Sequence, residues 1–259
     1  MPAELKSASN GRTMVLTISN PEFRNALGPE IYAAGVEALN AADANPEVRS
    51  VVITGEGKNF CAGGNLQRLL DNRARAPEVQ WESVEALHSW IEAIRAFPKP
   101  VIAAVEGAAA GAGFSLALAC DFIVASDDAV FVMAYSNVAL SPDGGATWAL
   151  TRALPRQLVN DLLMCAERIT PARLQQFGLV NRVTRSGHAL EEALKLAAEL
   201  NERAPNTLAS VKELVNDAAV APLHTQLASE RSHFVKNLHH ANGGIGIEAF
   251  LAKKPPRFE

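Results

Sequence analysis

Twice in this chain an apolar run breaks into a glycine-bearing segment and then into a helical pattern. The first break is Phe60-Cys61-Ala62-Gly63-Gly64, after the run Ser50-Val51-Val52-Ile53-Thr54-Gly55. The second is Gly107-Ala108-Ala109-Ala110-Gly111-Ala112-Gly113, after Val101-Ile102-Ala103-Ala104-Val105. Each pattern predicts a strand that turns tightly into a helix. Upstream, residues 13–19 alternate as a strand, 28–44 carry helical spacing, and 48–54 form a short β-branched strand, with Pro46 between the last two. Residues 71–78 read as a polar loop and 79–96 as a helix stopped by Pro98 and Pro100. A strand over 101–105, a helix from near Ala112, a strand over 122–125 and an apolar run over 129–133 follow. The order β, α, β, α, β predicts an α/β fold with right-handed crossovers and a largely parallel sheet covered by helices.

Beyond Gly144 the pattern is helical except for a strand near residues 179–184. From Ala189 onward only helices are expected, over 189–203, 205–219, 223–238 and 246–252. With no sheet of their own, they must bury their apolar faces on the core or on a second copy of the chain.

The 259 residues suffice for one large α/β unit with an appendage. The net charge of -4, from 24 basic and 28 acidic residues without a like-charged block, leaves no footprint for nucleic acid or an anionic membrane surface. Cys61, Cys120 and Cys165 are odd in number, far apart and set in apolar surroundings, which argues against a disulfide framework or a structural zinc site. Residues 1–12 are polar and lack the apolar stretch of a secretory signal, so a cytoplasmic location is expected. Residues 101–120 approach the length of a membrane span, yet they are rich in Ala and Gly and contain Glu106. A buried strand, a turn and a buried helix explain them better.

Strand ends followed by small residues leave backbone N–H groups unpaired. Amides from two such segments can converge on one carbonyl oxygen as an oxyanion hole. The plainer reading is that the glycines only permit tight turns.

The run 50–55, Phe60-Cys61-Ala62-Gly63-Gly64-Asn65-Leu66, Lys99-Pro100-Val101-Ile102-Ala103-Ala104-Val105-Glu106-Gly107, and Gly111-Ala112-Gly113 through Ala119-Cys120-Asp121 together resemble the enoyl-CoA hydratase/isomerase family, also called the crotonase superfamily. Pro171-Ala172, Gly178-Leu179-Val180 and Glu248-Ala249-Phe250-Leu251-Ala252-Lys253-Lys254 agree in register, so the resemblance covers nearly the whole chain. It implies a crotonase-like α/β spiral of ββα units over residues 1–200 and a helical C-terminal trimerisation region over 201–259. It also implies a homotrimer or a hexamer built as a dimer of trimers. Acyl-CoA thioesters are the expected substrates, with no metal or redox cofactor, coenzyme A being part of the substrate. By the same resemblance the oxyanion amides belong to Gly64 and Ala112. The CoA contacts fall on Phe23, Arg24, Ala26, the backbone around Ala62, and Lys253 with Phe258 from the end of a chain.

Where the family's hydratases carry a pair of glutamates, this chain has Ser115 and Tyr135, and neither can act as a carboxylate base. Asp143, in Ser141-Pro142-Asp143-Gly144-Gly145, stands where dienoyl-CoA isomerases and the ring-opening epoxide isomerases of phenylacetyl-CoA degradation carry an acid. Phe131-Val132-Met133-Ala134-Tyr135-Ser136, Thr147-Trp148, Glu230-Arg231 and Ala249-Phe250-Leu251 are most similar to the second group. Read alone, Asp-Gly-Gly is turn chemistry. Read with the resemblance, Asp143 is the acid/base, and Tyr135, Ser115, His88 and Trp148 line the substrate site. A lone carboxylate beside an oxyanion hole suits isomerisation: it removes a proton, the thioester stores the charge as an enolate, and the acid returns the proton elsewhere.

Three alternatives stay open. The chain could be a hydratase with atypical residues. It could hydrolyse aryl halides as 4-chlorobenzoyl-CoA dehalogenases do, with Asp143 as nucleophile and His88 as base. It could also be a noncatalytic acyl-CoA-binding homologue. Cys61 lacks a paired base, and His239-His240 lacks further residues at ligand spacing, so both are read as structural. Trp81 and Trp90 either line an acyl pocket or pack in the core.

Overall fold

The computed structural model describes residues 3–259. In chain order the elements are β1 (Glu4–Asn10), β2 (Thr13–Ser19), α1 (Pro29–Ala44), β3 (Ser50–Gly55), α2 (Leu66–Arg73), α3 (Pro77–Ala96), β4 (Val101–Val105), β5 (Ala108–Ala110), α4 (Ala112–Ala119), β6 (Phe122–Ser126) and β7 (Val130–Val132). There follow α5 (Ala146–Ala153), α6 (Arg156–Met164), β8 (Arg168–Ile169), α7 (Pro171–Gln176), β9 (Arg182–Thr184), α8 (Ala189–Asn201), α9 (Pro205–Ala218), α10 (Leu223–Leu238) and α11 (Ala241–Leu251). One sheet has six strands in the order β1-β2-β3-β4-β6-β9, and a second has three in the order β5-β7-β8. All neighbours in the larger sheet pair in parallel except the hairpin β1-β2.

The spiral comes from successive strands joining different sheets. After β4 the chain turns at Gly107, whose φ is 54°, enters β5 in the small sheet, and then starts α4. A Cβ at Gly107 would stand 2.1 Å from the Lys58 carbonyl oxygen, so only glycine passes this crossing. Residues 101–120 are therefore β4, β5 and α4. Among the described residues no helix is long and apolar enough to cross a membrane. Glu106, the charge inside that stretch, accepts the N–H groups of Gly187 at 3.0 Å and Ala189 at 2.7 Å, and so caps α8.

The sheet's two faces are covered differently. On one, α1 and α3 pack through Ile31, Leu39, Ile91 and Ile94, and Trp90 lies so close to Gly35 that a Cβ there would meet its ring at 2.3 Å. On the other, Val15, Val52, Ile102, Ala104 and Val124 bury against Ala193, Leu196 and Ala197 of α8. Thus α8 does rest on the sheet. The helices after it are tied to the core by Lys212, whose Nζ donates to Asp121 Oδ2 at 2.7 Å and to the Ile94 carbonyl at 2.9 Å. They leave Leu223, Leu227, Phe234, Phe250 and Leu251 exposed.

Residues 71–78 are not one loop: α2 continues to Arg73 and α3 begins at Pro77. Asn65 Oδ1 caps α2 by accepting from the Arg68 N–H at 3.1 Å, and Asn72 donates to Gln80 at 2.8 Å, locking the two helices together.

Candidate active site

The two glycine segments meet. Cys61 N–H donates to the Ala108 carbonyl and Ala110 N–H to the Cys61 carbonyl, each at 2.9 Å, so the segment after β3 lies alongside β5. Gly63, at φ 90°, comes so near that a Cβ there would stand 2.7 Å from the Ala110 oxygen and 3.3 Å from the Ala112 nitrogen. Gly113 is pressed on the Cys61 carbonyl in the same way, where a Cβ would be at 2.4 Å. Ala112 is the first residue of α4, so its N–H has no intrahelical acceptor. Among the described residues neither the Gly64 nor the Ala112 amide donates to a backbone carbonyl. Two free donors stand on touching segments, one of them at a positive helix end.

Asp143 packs against α4. The Ser115 hydroxyl, one turn beyond Ala112, donates to the Asp143 main-chain carbonyl at 3.0 Å. Gly144, at φ 59°, brings the loop so close that a Cβ would meet Ser115 Cβ at 2.8 Å. The Tyr135 phenol donates to Asp143 Oδ1 at 2.6 Å, and its ring lies over Gly111. Burial pushes the Asp143 carboxyl above its ordinary value; the Tyr135 hydrogen bond and the charge of nearby His88 work against that rise. No second carboxylate acts on it among the described residues. Burial also raises Tyr135, helped by the Asp143 charge, so the phenol stays a donor.

The segment that contains Phe23, Arg24 and Ala26 lies alongside the first glycine segment: the Arg24 carbonyl accepts from the Ala62 N–H at 3.0 Å, and the Leu27 N–H donates to the Gly63 carbonyl at 2.7 Å. Phe23 is exposed there. Phe258 lies away from the site of its own chain. The Phe258 ring packs on Gly246 and its carbonyl accepts from Arg49 Nη2 at 3.2 Å. Arg49 precedes β3, whereas the glycine segment follows it, so Phe258 lies at the opposite end of that strand.

The Trp148 ring, partly exposed, stacks with the Arg95 and Arg152 guanidiniums at 4.7 Å and 4.1 Å. Trp90 packs in the core, and Trp81 is exposed. Burial raises the Cys61 thiol to about 12, which makes it an inert packing residue. His240 caps α11 through its Nδ1, accepting from Asn242 N–H at 3.1 Å.

Several residues that shape the site carry no motif. Asn25, fully buried at φ 59°, donates to the Glu56 and Asn59 carbonyls at 2.9 Å and 2.7 Å and accepts the Asn20 N–H, fixing the approach to the first glycine segment. Tyr32 of α1 and Arg68 of α2 are the others. The Tyr32 phenol is buried within electrostatic reach of Arg68, Asp143 and Cys61.

A spiral of this kind with paired free amides beside an acid defines an acyl-CoA enzyme class, and comparison with known proteins agrees. Residues 9–259 match the family model described as Enoyl-CoA hydratase/isomerase. The chain belongs to the enoyl-CoA hydratase/isomerase family. It is 33% identical to the 1,2-epoxyphenylacetyl-CoA isomerase of Escherichia coli K12, over 95% of this chain and 94% of that protein. It is also 33% identical to the 2,3-dehydroadipyl-CoA hydratase of the same organism, over 99% of both. A crystal structure described as an enoyl-CoA hydratase from Polaromonas sp. JS666 superposes with a TM-score of 0.98 at 67% identity, covering 99% of this chain and 100% of that one.

Proposed function

We propose that this chain isomerises acyl-CoA thioesters, with Asp143 as the single acid/base and the Gly64 and Ala112 amides as the oxyanion hole. The observation that carries the reading is the Tyr135–Asp143 hydrogen bond of 2.6 Å. It occupies one carboxylate oxygen and leaves the other to take a substrate proton. The thioester oxygen accepts from both amides as negative charge develops on it, and the enolate is thereby stabilised. Protonated Asp143 then returns the proton to a different carbon, or to the oxygen of an opening ring, so the step balances without water, metal or redox cofactor. We propose Phe23, Arg24, Ala26 and the backbone at Ala62 as the coenzyme A side of the cleft. The exposed apolar residues of α10 and α11 support self-association through the C-terminal helices, as a trimer or a dimer of trimers. In that assembly a second copy would supply Lys253 and Phe258.

The test is turnover of α,β- and β,γ-unsaturated and epoxy acyl-CoAs in deuterated water. Wild type should place deuterium at the carbon that receives the proton, and Asp143→Asn should lose about 10²–10⁴-fold in rate. Turnover of the variant within a few fold of wild type would sink the assignment.

One observation favours a second reading: His88 lies within electrostatic reach of Asp143, where a base beside a nucleophile would stand. Chloride release from 4-chlorobenzoyl-CoA, abolished in His88→Gln, would replace isomerisation with hydrolysis.

A further inference from the structure

Arg68 is a cation without an anion. Its Nη1 donates to Ser83 Oγ at 3.0 Å, while its Nε is shielded from solvent and has no partner. No carboxylate pairs with it among the described residues. The groups that act on the Asp143 carboxyl are Tyr135 and His88, so Asp143 does not serve as its counter-ion either. A shielded guanidinium N–H left unpaired is costly, because neither water nor protein replaces the hydrogen bond it gave up.

Its place in the fold ties it to the acyl end of the site. Arg68 begins one turn beyond Gly64, with its main-chain N–H held by the Asn65 cap. The next side chain, Leu69, is the nearest atom to Gly64, 3.8 Å from where a Cβ would stand. Ser83 meets Arg68 from α3, and the Tyr32 phenol of α1, 3% exposed, is within hydrogen-bonding and electrostatic reach of Arg68 and within electrostatic reach of Asp143 and Cys61. A guanidinium, a phenol and a hydroxyl from three helices thus gather beside the oxyanion segment.

We propose that Arg68 and Tyr32 form a subsite for an anionic oxygen at the far end of the acyl group, so that the enzyme prefers acyl-CoA thioesters ending in a carboxylate. The inference rests on the acyl-CoA site proposed above and deepens it. A guanidinium keeps its charge at any working pH, and a terminal carboxylate held beside Arg68 supplies the counter-ion that the protein does not.

Binding tests this without requiring catalysis. Hexanoyl-CoA and adipoyl-CoA share a six-carbon chain and differ in the terminal carboxylate, and both are saturated and unreactive. Calorimetric titration of the full chain should give adipoyl-CoA an affinity about tenfold or more tighter than hexanoyl-CoA. Arg68→Met should bring the ratio of the two affinities close to one, Arg68→Lys should restore part of it, and Tyr32→Phe should reduce it. Because the readout is a ratio within one variant, a loss of folded protein cannot imitate the result. Equal affinities in wild type, or a ratio that survives Arg68→Met, would overturn the subsite while leaving the isomerase proposal intact. Failure of both ligands to bind would remove the acyl-CoA site itself and this inference with it.

Discussion

Ser115 and Tyr135 both hold Asp143 through their side chains. One accepts the role of anchor by donating to its main-chain carbonyl at 3.0 Å, the other donates to its carboxylate at 2.6 Å.

The pH profile follows from that contact. As the proposed initial base, Asp143 must be ionised, and burial raises its pKa, so the acid limb of kcat/KM should lie above the ordinary carboxylate value of about 3.9. The Tyr135 hydrogen bond lowers the same pKa. Tyr135→Phe should therefore move the limb to higher pH, and an unmoved or downward-shifted limb in a pH–rate profile would contradict the arrangement.

Linkage predicts a stability effect of the opposite kind to the activity effect. A carboxyl whose pKa is raised in the folded chain binds its proton more tightly there, so its ionisation costs stability as pH rises from the unfolded value through the folded one. Asp143→Asn should be at least as heat-stable as wild type at pH 7, with the difference vanishing below the ordinary carboxylate range. Thermal melts at several pH values would reveal a less stable variant at pH 7 if burial were not the dominant influence.

Gly63→Ala should disable the oxyanion hole. At φ 90° a side chain is strained, and its Cβ would stand 2.7 Å from the Ala110 oxygen, forcing the two segments apart. Expected costs are about 1–3 kcal/mol of stability and about 10²-fold in kcat. Chemical denaturation and steady-state kinetics on the same preparation check both.

Lys212→Met should destabilise the chain by about 1 kcal/mol, since it strips the ion-pair partner from the partly exposed Asp121 carboxylate. Asp121 is raised by burial and lowered by Lys212, so its pKa should climb further in the variant. Urea unfolding measures the first effect. Adding Asp121→Asn to the same chain should recover part of the loss, and no recovery would show that the packing of α9 rather than the ion pair is responsible.

Much of the scaffold is legible in local pattern. β2, β3, β4 and β6 are β-branched or apolar runs, and α1, α3 and α4 keep helical spacing between glycine and proline boundaries. β1 was not legible: Glu4–Asn10 is polar, mostly exposed and without alternation, and it is extended because Thr13–Ser19 pairs with it. β5 was not legible. Ala108-Ala109-Ala110 has little strand preference, and it is extended because Val130–Val132 pairs with it. The two-residue β8 exists for the same reason, as the partner of β7.

The sequence by itself determined where backbone must turn tightly and where a carboxylate was available, because φ preferences, side-chain size and periodicity act over a few residues and leave their mark in the letters. The alignment of Gly64 with Ala112, the grip of Tyr135 on Asp143, and the unpaired guanidinium of Arg68 were decided only when separate segments packed together. So were the stacking of Trp148 with two arginines and the docking of Phe258 on its own α11. Each depends on distances between residues far apart in the chain, and such distances are set by the whole core rather than by any local preference.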